Sequence, residues 1–561
     1  MKRRRAVVAS VIAWGAAAVS VCAQGGMGPG GGGMGGGGMT GDGSGLTTFE
    51  TADFTGSGNC SLCHGNLIDS TGADVSIDTH WRSTMMANAA KDPLWQAKVD
   101  SEVLRTPAIS SIIQEKCSRC HTPMARVQAT VDGSPVSLLG DGFFSPSSYL
   151  HEAAMDGVSC ALCHQIQADG LGSPATFTGQ YPIDTTTAAP DRIMFGQYAN
   201  PLANPMQMHV GFTPEYGSHS LDSALCGTCH TLFTPIIRGD GSYGGEFPEQ
   251  MTYPEWEHAA PAGGSKPTCQ DCHLPPAAGT VAISNRPWWL EPRSGFGMHH
   301  FVGGNSYMLQ ILKARTTDLG VTADATELDA TLDRTLADLG TRAATISIPA
   351  VQVSSGILTA VVKVANLTGH KLPSGVPLRR AWIHLKVADR KGKVVFESGA
   401  PALDGTIAGN DADTSPGAYE PHYDLIGAPG EVQIYESIMG DATGNVTFTF
   451  LRAEGYLKDN RLLPDGFDKT TATLEIAVHG GAELDPSFTG GTDEVTYRIP
   501  VGARAGRLTI TARLLYQSVS RRFVEDLRPD AALSGLVDRF IGYDDAADRT
   551  PVVLATAQKR T

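Results

Sequence analysis

The chain has 561 residues, enough for two or three domains and at least one full-sized core, and it is acidic, with 58 Asp and Glu against 43 Lys and Arg for a net charge of −15. That balance excludes a general nucleic-acid binder and suits a soluble protein that steers toward a basic partner. The one long apolar run is residues 6–23, so no transmembrane span is expected in the body of the chain.

In chain order, residues 6–23 follow Lys2, Arg3, Arg4 and Arg5 and end in Val21-Cys22-Ala23, the layout of an export signal. The expected leader is 1–23, cleaved so that the mature chain starts near Gln24. Cys22 offers a rival reading as the lipidated first residue of a lipoprotein, although Val21 is bulkier than such a site favours. Either way the protein is expected in the periplasm or at the cell surface. Residues 24–47 are mostly glycine with Met27, Met34 and Met39, a composition that buries little and is expected to be a flexible linker. Thioethers are soft copper ligands, but without flanking His or Cys these methionines do not define a copper site.

Residues 48–315 contain Cys-x-x-Cys-His five times: Cys60/Cys63/His64, Cys117/Cys120/His121, Cys160/Cys163/His164, Cys226/Cys229/His230 and Cys269/Cys272/His273. A thiol pair followed at once by His is the attachment signature of c-type haem rather than of zinc. Two thiols reach the two vinyl groups on one edge of the macrocycle while the adjacent imidazole ligates the iron. Ten of the eleven cysteines fall inside these motifs, which leaves no separate disulfide framework. The expectation is five covalently bound haem c groups with His64, His121, His164, His230 and His273 as proximal ligands. With roughly fifty residues per motif, the cofactors form much of the core, and short helices with long loops are expected. Asp78 or Thr79 is placed to cap a helix through His80, Trp81, Met85 and Ala89; Pro93 starts one through Trp95 and Val99, and Asn305 one through Met308, Leu309 and Leu312.

Residues 316–346 are expected to hold a connecting helix, with Leu328, Leu332, Leu336, Leu339 and Ala343 on one apolar face. Over 347–520 the period becomes alternating at 358–364, 383–387, 446–450, 474–478, 495–499 and 508–514, with a turn at Asp389–Gly392. These strands predict an antiparallel, immunoglobulin-like β-sandwich. In the tail, 521–561, a short helix is expected around Leu536, Val537 and Phe540, and nothing regular after Thr550. The fold class is therefore multidomain: a haem-rich, mostly helical and loop domain followed by an all-β sandwich.

Each motif supplies half of an iron site. A second His opposite gives a low-potential electron-transfer centre, Met raises the potential, and an empty face permits catalysis. The candidate distal ligands are His80, His151, His209, His219, His299, His300 and His370, with Met85 and Met86 as rivals to His80. His299 and His300 precede Gly303 and Gly304, where a backbone can approach a ring closely. His370 lies between turns in Asn366-Leu-Thr-Gly-His-Lys-Leu-Pro-Ser-Gly375 at a strand end, from which a sandwich loop reaches a haem. His258 reads as a weaker candidate, His384, His422 and His479 as structural, and Met124 as packing.

Cys60-Ser-Leu-Cys-His64 with His80-Trp-Arg-Ser-Thr-Met-Met-Ala, Gly157-Val-Ser-Cys-Ala-Leu-Cys-His-Gln-Ile, and the Cys226–His230 motif followed by Thr-Leu resemble bacterial multihaem cytochromes c, the tetrahaem electron carrier of hydroxylamine oxidation among them. Gly369-His-Lys-Leu-Pro-Ser-Gly375 and Arg379-Arg-Ala-Trp382 resemble the β-rich C-terminal part of large exported multihaem cytochromes. The resemblance implies electron transfer through closely packed, mainly bis-His haems between redox protein partners. A fifth motif and the long β-region depart from the carrier, so its partner and ligand pairing do not transfer. The rival is a nitrite- or hydroxylamine-type oxidoreductase with one open haem; all five motifs end in His, and no Cys-x-x-Cys-Lys variant is present. A structural role, with the β-region driving polymer assembly or matrix binding, is the third reading.

Overall fold

The computed structural model describes residues 45–561 except 262, 263, 265, 504 and 505. The expected leader, Cys22 and the linker methionines Met27, Met34 and Met39 lie outside the described residues. Among the described residues from 45 to about 343 the chain forms short helices and turns with three two-stranded sheets: β1 (Ile193–Gly196) parallel to β2 (Thr213–Tyr216), β3 (Thr231–Ile237) antiparallel to β4 (Tyr243–Met251), and β5 (Thr280–Val281) antiparallel to β6 (Arg293–Ser294).

Local chemistry sets the helix starts. Asp92 accepts from the amides of Leu94 and Trp95 while Pro93 fills the first position of helix Pro93–Arg105, and Asn305 accepts from the Met308 amide ahead of Ser306–Ala314. The helix carrying His80 is shorter than its apolar spacing predicts. It spans Ile77–Arg82 with Ser76 at its N-cap position, so neither Asp78 nor Thr79 caps it. The Asn88 side-chain amide donates to the carbonyls of Arg82 and Thr84, and the chain folds back there, leaving Met85 and Ala89 in turns.

The connecting helix is Ala325–Asp338, opened by a reciprocal Asp324–Glu327 capping box and extended by a π-helical turn, Leu339–Ala343. Leu328, Leu339 and Ala343 are buried as expected, but Leu336 is exposed and Thr331 and Thr335 take the inner face.

The alternating region forms β7 (Ala344–Ser354), β8 (Ile357–Asn366), β9 (Arg380–Asp389), β10 (Val394–Ser398), β11 (Leu425–Ile426), β12 (Ile434–Gly440), β13 (Gly455–Asp459), β14 (Thr492–Pro500), β15 (Leu508–Gln517) and β16 (Val552–Arg560). One sheet runs β11-β14-β8-β7 and the other β13-β12-β9-β15-β16, with β10 paired to the second half of β9. Leu358, Ala360, Val362 and Val364 of β8 share one core with Leu385 and Val387 of β9 and Ile510, Ala512 and Leu514 of β15, so the two sheets close on each other as period two dictates. Every pairing in them is antiparallel except the short parallel contact of β11 with β14. The Asp389 carboxylate accepts from the Lys391 and Lys393 amides and closes the expected β9–β10 turn.

Two expected strands are absent. Val446 makes a single bridge to Gly440, after which Phe448 and Phe450 turn away to pack on Phe523. Leu474–Ile476 is a 3-10 turn with Leu474 exposed. The end of the chain is more ordered than its sequence predicts: β16 pairs along β15. Helices Arg521–Leu527 and Gly535–Asp545 bury Phe523, Val524, Leu527, Val537 and Phe540 with Leu94 and Ala97 of Pro93–Arg105. Arg105 adds ion pairs to Asp526 at 2.6 Å and Asp530 at 2.8 Å. The β8–β9 loop, the segment after β12 and the end of β15 leave the same end of the two sheets, where the Phe450 amide donates to Glu102 and the Ser518 hydroxyl to the Gly304 carbonyl of the motif-bearing region.

Truncation of the fully buried Leu385 to alanine is expected to lower stability by about 2–5 kcal/mol, read as a lower denaturant midpoint.

Candidate haem-binding site

Each Cys-x-x-Cys-His motif sits in or at the end of a helical turn: Ser57–His64, Ser110–His121, Cys160–Cys163, Ser223–Gly227 and Cys269–His273. A turn brings cysteines three apart onto one face. The fifth motif is set by a Thr268–Asp271 capping box; in the fourth, the amides of Cys229 and His230 carry the turn past Gly227 by bonding the Cys226 carbonyl. All ten cysteines are free thiols, and together with the five motif histidines they line one continuous cavity of about 1230 Å³. This exceeds the roughly 300–1,000 Å³ of a pocket for one small ligand.

The motifs touch one another. Cys60 lies beside Cys160, Cys120 beside Cys229 and Cys226 beside Cys269, and Cys163 lies within electrostatic reach of Cys229. In space the first motif therefore meets the third, the third meets the fourth, and the fourth meets both the second and the fifth.

Four motif imidazoles are clamped through Nδ1 to backbone carbonyls of other segments: His64 to Ile283 at 2.8 Å, His121 to Ala89 at 2.9 Å, His164 to Phe195 at 2.6 Å and His273 to Val302 at 2.6 Å. An Nδ1–H donated to a carbonyl leaves Nε2 as a bare lone pair, the form that ligates a metal. Burial lowers the basicity of His64 and His164 and takes His121 down to about 4, which keeps these rings neutral near pH 7. Paired thiols, neutral imidazoles with a free Nε2 and one apolar cavity fit covalently attached haem. The Trp95 ring stacks on His121 with centres 4.2 Å apart and planes within 3°.

The distal candidates separate by the same test. His209, His299 and His370 line the cavity. His299 and His370 give Nδ1 to the carbonyls of Gly297 and Lys371 at 3.0 and 2.9 Å, which frees Nε2. Burial pushes His299 down to about 3. Its ring centre stands 6.5 Å from that of His164 at an angle of 30°. His80 and His300 pack edge to face at 4.5 Å beside the cavity, and burial lowers them to about 4 and about 3. Phe301, between them and the fifth motif, is held at φ 41°, a strained left-handed conformation for an aromatic residue, with its amide on the His273 carbonyl. Gly304 serves a different neighbour from the one its sequence suggests: a Cβ there would stand 2.6 Å from the Tyr516 hydroxyl of β15. His151 bonds the Phe143 carbonyl through Nδ1. His219 and His258 instead spend Nε2 on the carbonyls of Ile166 and Asp468, each at 2.9 Å. His384 and His422 contact Glu397 and Asp485, each at 3.0 Å, and Met124 is fully buried.

A buried ionic network holds the His370 loop. Lys371 Nζ meets Asp459 at 2.7 Å, Arg461 meets Asp459 and Glu255 at 2.8 Å each, and Glu255 accepts from the Lys371 amide and the Ser374 hydroxyl. Glu255 belongs to helix Thr252–His258 of the motif-bearing region, so the network joins that helix to the β8–β9 loop and to β13. Single charged residues gave no sign of it, because its members lie far apart in the chain.

No protein-family model and no curated protein matches this sequence. Among solved structures, the chain is similar to a penta-haem cytochrome c552 from Thermochromatium tepidum, with 17% identity and a TM-score of 0.48 over 90% of this chain and 98% of that one.

Burial alone would raise the Asp459 carboxyl, but Arg461 and Lys371 outweigh it and hold it below the usual carboxylate range. Its contribution to stability is therefore present above about pH 4 and lost as pH falls through the folded value. Asp459→Asn is expected to cost about 3–5 kcal/mol at pH 7 and to flatten the acid side of a plot of denaturant midpoint against pH.

Proposed function

We propose that the chain is an exported pentahaem c-type cytochrome that passes electrons between periplasmic or cell-surface redox partners. The observation that carries this reading is the single cavity lined by all ten motif cysteines and all five motif histidines, with neighbouring motifs in contact. Cys60, Cys63, Cys117, Cys120, Cys160, Cys163, Cys226, Cys229, Cys269 and Cys272 hold the five haems, which supply one-electron redox chemistry when bound. His64, His121, His164, His230 and His273 are the proximal ligands. The mostly apolar lining would limit water around the bound haems, and the carbonyl clamps orient the imidazoles.

His299 would serve with His164 in holding one haem: their ring centres stand 6.5 Å apart, close to the roughly 6 Å of two imidazoles that share one metal. His370, in electrostatic reach of His230 and His273, would bring a ligand from the β-region, and the remaining positions would draw on His80, His151, His209 and His300, with His219 open only through Nδ1 because its Nε2 bonds the Ile166 carbonyl. The β-sandwich, with immunoglobulin-like topology as its finer reading, shields one side of the haems and docks partners. Residues 1–23 are the export signal and 24–47 the linker, with 48–315 as the cytochrome domain, 316–346 as the connector, 347–520 as the sandwich and 521–561 as the tail. No helix among the described residues is long and apolar enough to cross a membrane.

The mature protein is expected to carry five covalent haems, measured by mass and by pyridine haemochrome; fewer would sink the count. His370→Ala is expected to keep all five and convert one haem from low to high spin in the electron paramagnetic resonance spectrum. An unchanged spectrum would remove His370 from the ligand set.

A further inference from the structure

At the second motif the cavity carries charge that no haem ligation uses. Helix Pro93–Arg105 runs along it. Trp95 stacks on His121, and Lys98 and Glu102, about one and two turns further on, line the same cavity. Across from them, β4 presents Phe247, Glu249 and Met251 to the interior, an acid in the middle of an apolar face. Leu232 pairs with Gln250 and Phe233 with Pro248, so Glu249 is the extra residue of a β-bulge, a device that re-aims a side chain. Phe450 and Leu451, from the sandwich end, line the cavity with them.

The carboxylates of Glu249 and Glu102 are the charges acting most strongly on the Cys117 sulfur. Lys98 is taken by Glu102 Oε1 and the Phe448 carbonyl, each at 2.8 Å, while Glu102 Oε2 is buried without a partner. The Glu249 carboxylate accepts one hydrogen bond, from the Thr234 hydroxyl at 2.5 Å, and the Tyr456 hydroxyl of β13 donates to the Pro248 carbonyl at 2.8 Å and the Glu249 carbonyl at 3.5 Å. The charged groups that face Glu249 are Glu102 and Lys98 from one helix and Lys116 from the next. Lys116 is shared with Glu246, and nearby Glu115 is held by Arg119 and Arg126.

We propose that Glu249, assisted by Glu102, is a proton-exchange site coupled to the haem held by Cys117, Cys120 and His121. The proposal rests on the cytochrome reading. With haem bound, one electron from a reduced protein partner would lower the charge of the iron by one, and one proton from water would bind the Glu249 carboxylate. On reoxidation the electron leaves to the acceptor and the proton returns to solvent. The physical cause is loss of one positive charge beside a poorly solvated carboxylate, which favours its neutral form. Burial, with the Glu102 charge adding to it, already pushes Glu249 up to about 7 against the pull of Thr234, Lys98 and Lys116, so both protonation states are accessible near neutrality.

The test is spectroelectrochemical titration of the five-haem protein across pH 6–8.5. One of the midpoints is expected to fall with rising pH by up to 59 mV per unit, the one-electron equivalent of a tenfold change in proton concentration. Glu249→Gln is expected to abolish that slope while leaving the other four midpoints in place. Thr234→Val, which removes the bond favouring the carboxylate, is expected to move the sloping range to higher pH. A wild-type protein with no sloping midpoint, or a slope that survives in Glu249→Gln, overturns the proposal. Haem content is counted on every sample, so a shortfall below five in the wild type marks failure of the cytochrome reading itself.

Discussion

The motif-bearing region depends on a bond that side-chain patterns do not record, the donation of a motif histidine's Nδ1–H to a backbone carbonyl elsewhere in the chain. His64 reaches a residue 219 positions away, and His121, His164 and His273 reach 32, 31 and 29 positions. Each bond chooses the tautomer, aims Nε2 into the cavity and stitches a short helix to a distant loop. A region with so few long elements has little else to fix its rings, and burial makes the bonds stronger by keeping competing water away.

Around that lining the rest of the molecule acts as an outer wall. The two sheets contribute the His370 loop and the Phe450 turn to the lining, and the C-terminal helices cover Leu94 and Ala97 with Phe523, Val537 and Phe540. Different forces hold the two contacts. Apolar burial favours closure without dictating orientation. The Lys371–Asp459–Arg461–Glu255 network is directional, and a misplaced loop would leave buried charges unpaired at a cost of several kcal/mol. The network is therefore suited to fixing where His370 points rather than to adding net stability.

Much of the architecture was legible from local rules. The turns at the motifs, the helix starts at Asp92 and Asn305, and the strands β8, β9, β14 and β15 follow from capping groups and from periods of 3.6 and 2. The misses have physical reasons. Phe448 and Phe450 alternate like a strand but find a better apolar surface on Phe523 than a neighbouring ladder offers, and β16 has a weak pattern because it is an edge strand with one wet face. At the site, the cysteines and motif histidines were plain from spacing, whereas the carbonyl clamps were invisible because every residue owns a carbonyl. Glu249 did leave a trace, an acid in phase with Phe247 and Met251 on the inward face of β4, although that face is known only once the strand is placed.

The last segment of the chain completes elements begun near its start: β16 finishes the sheet, and Gly535–Asp545 covers a helix that begins at Pro93. Along the chain, the five motifs lie hundreds of residues before these covers. On the cytochrome reading, the residues that would hold the haems lie in one stretch of chain and part of the wall around them in another. The wall is therefore complete only when residues 521–545 have packed against the stretch that begins at Pro93.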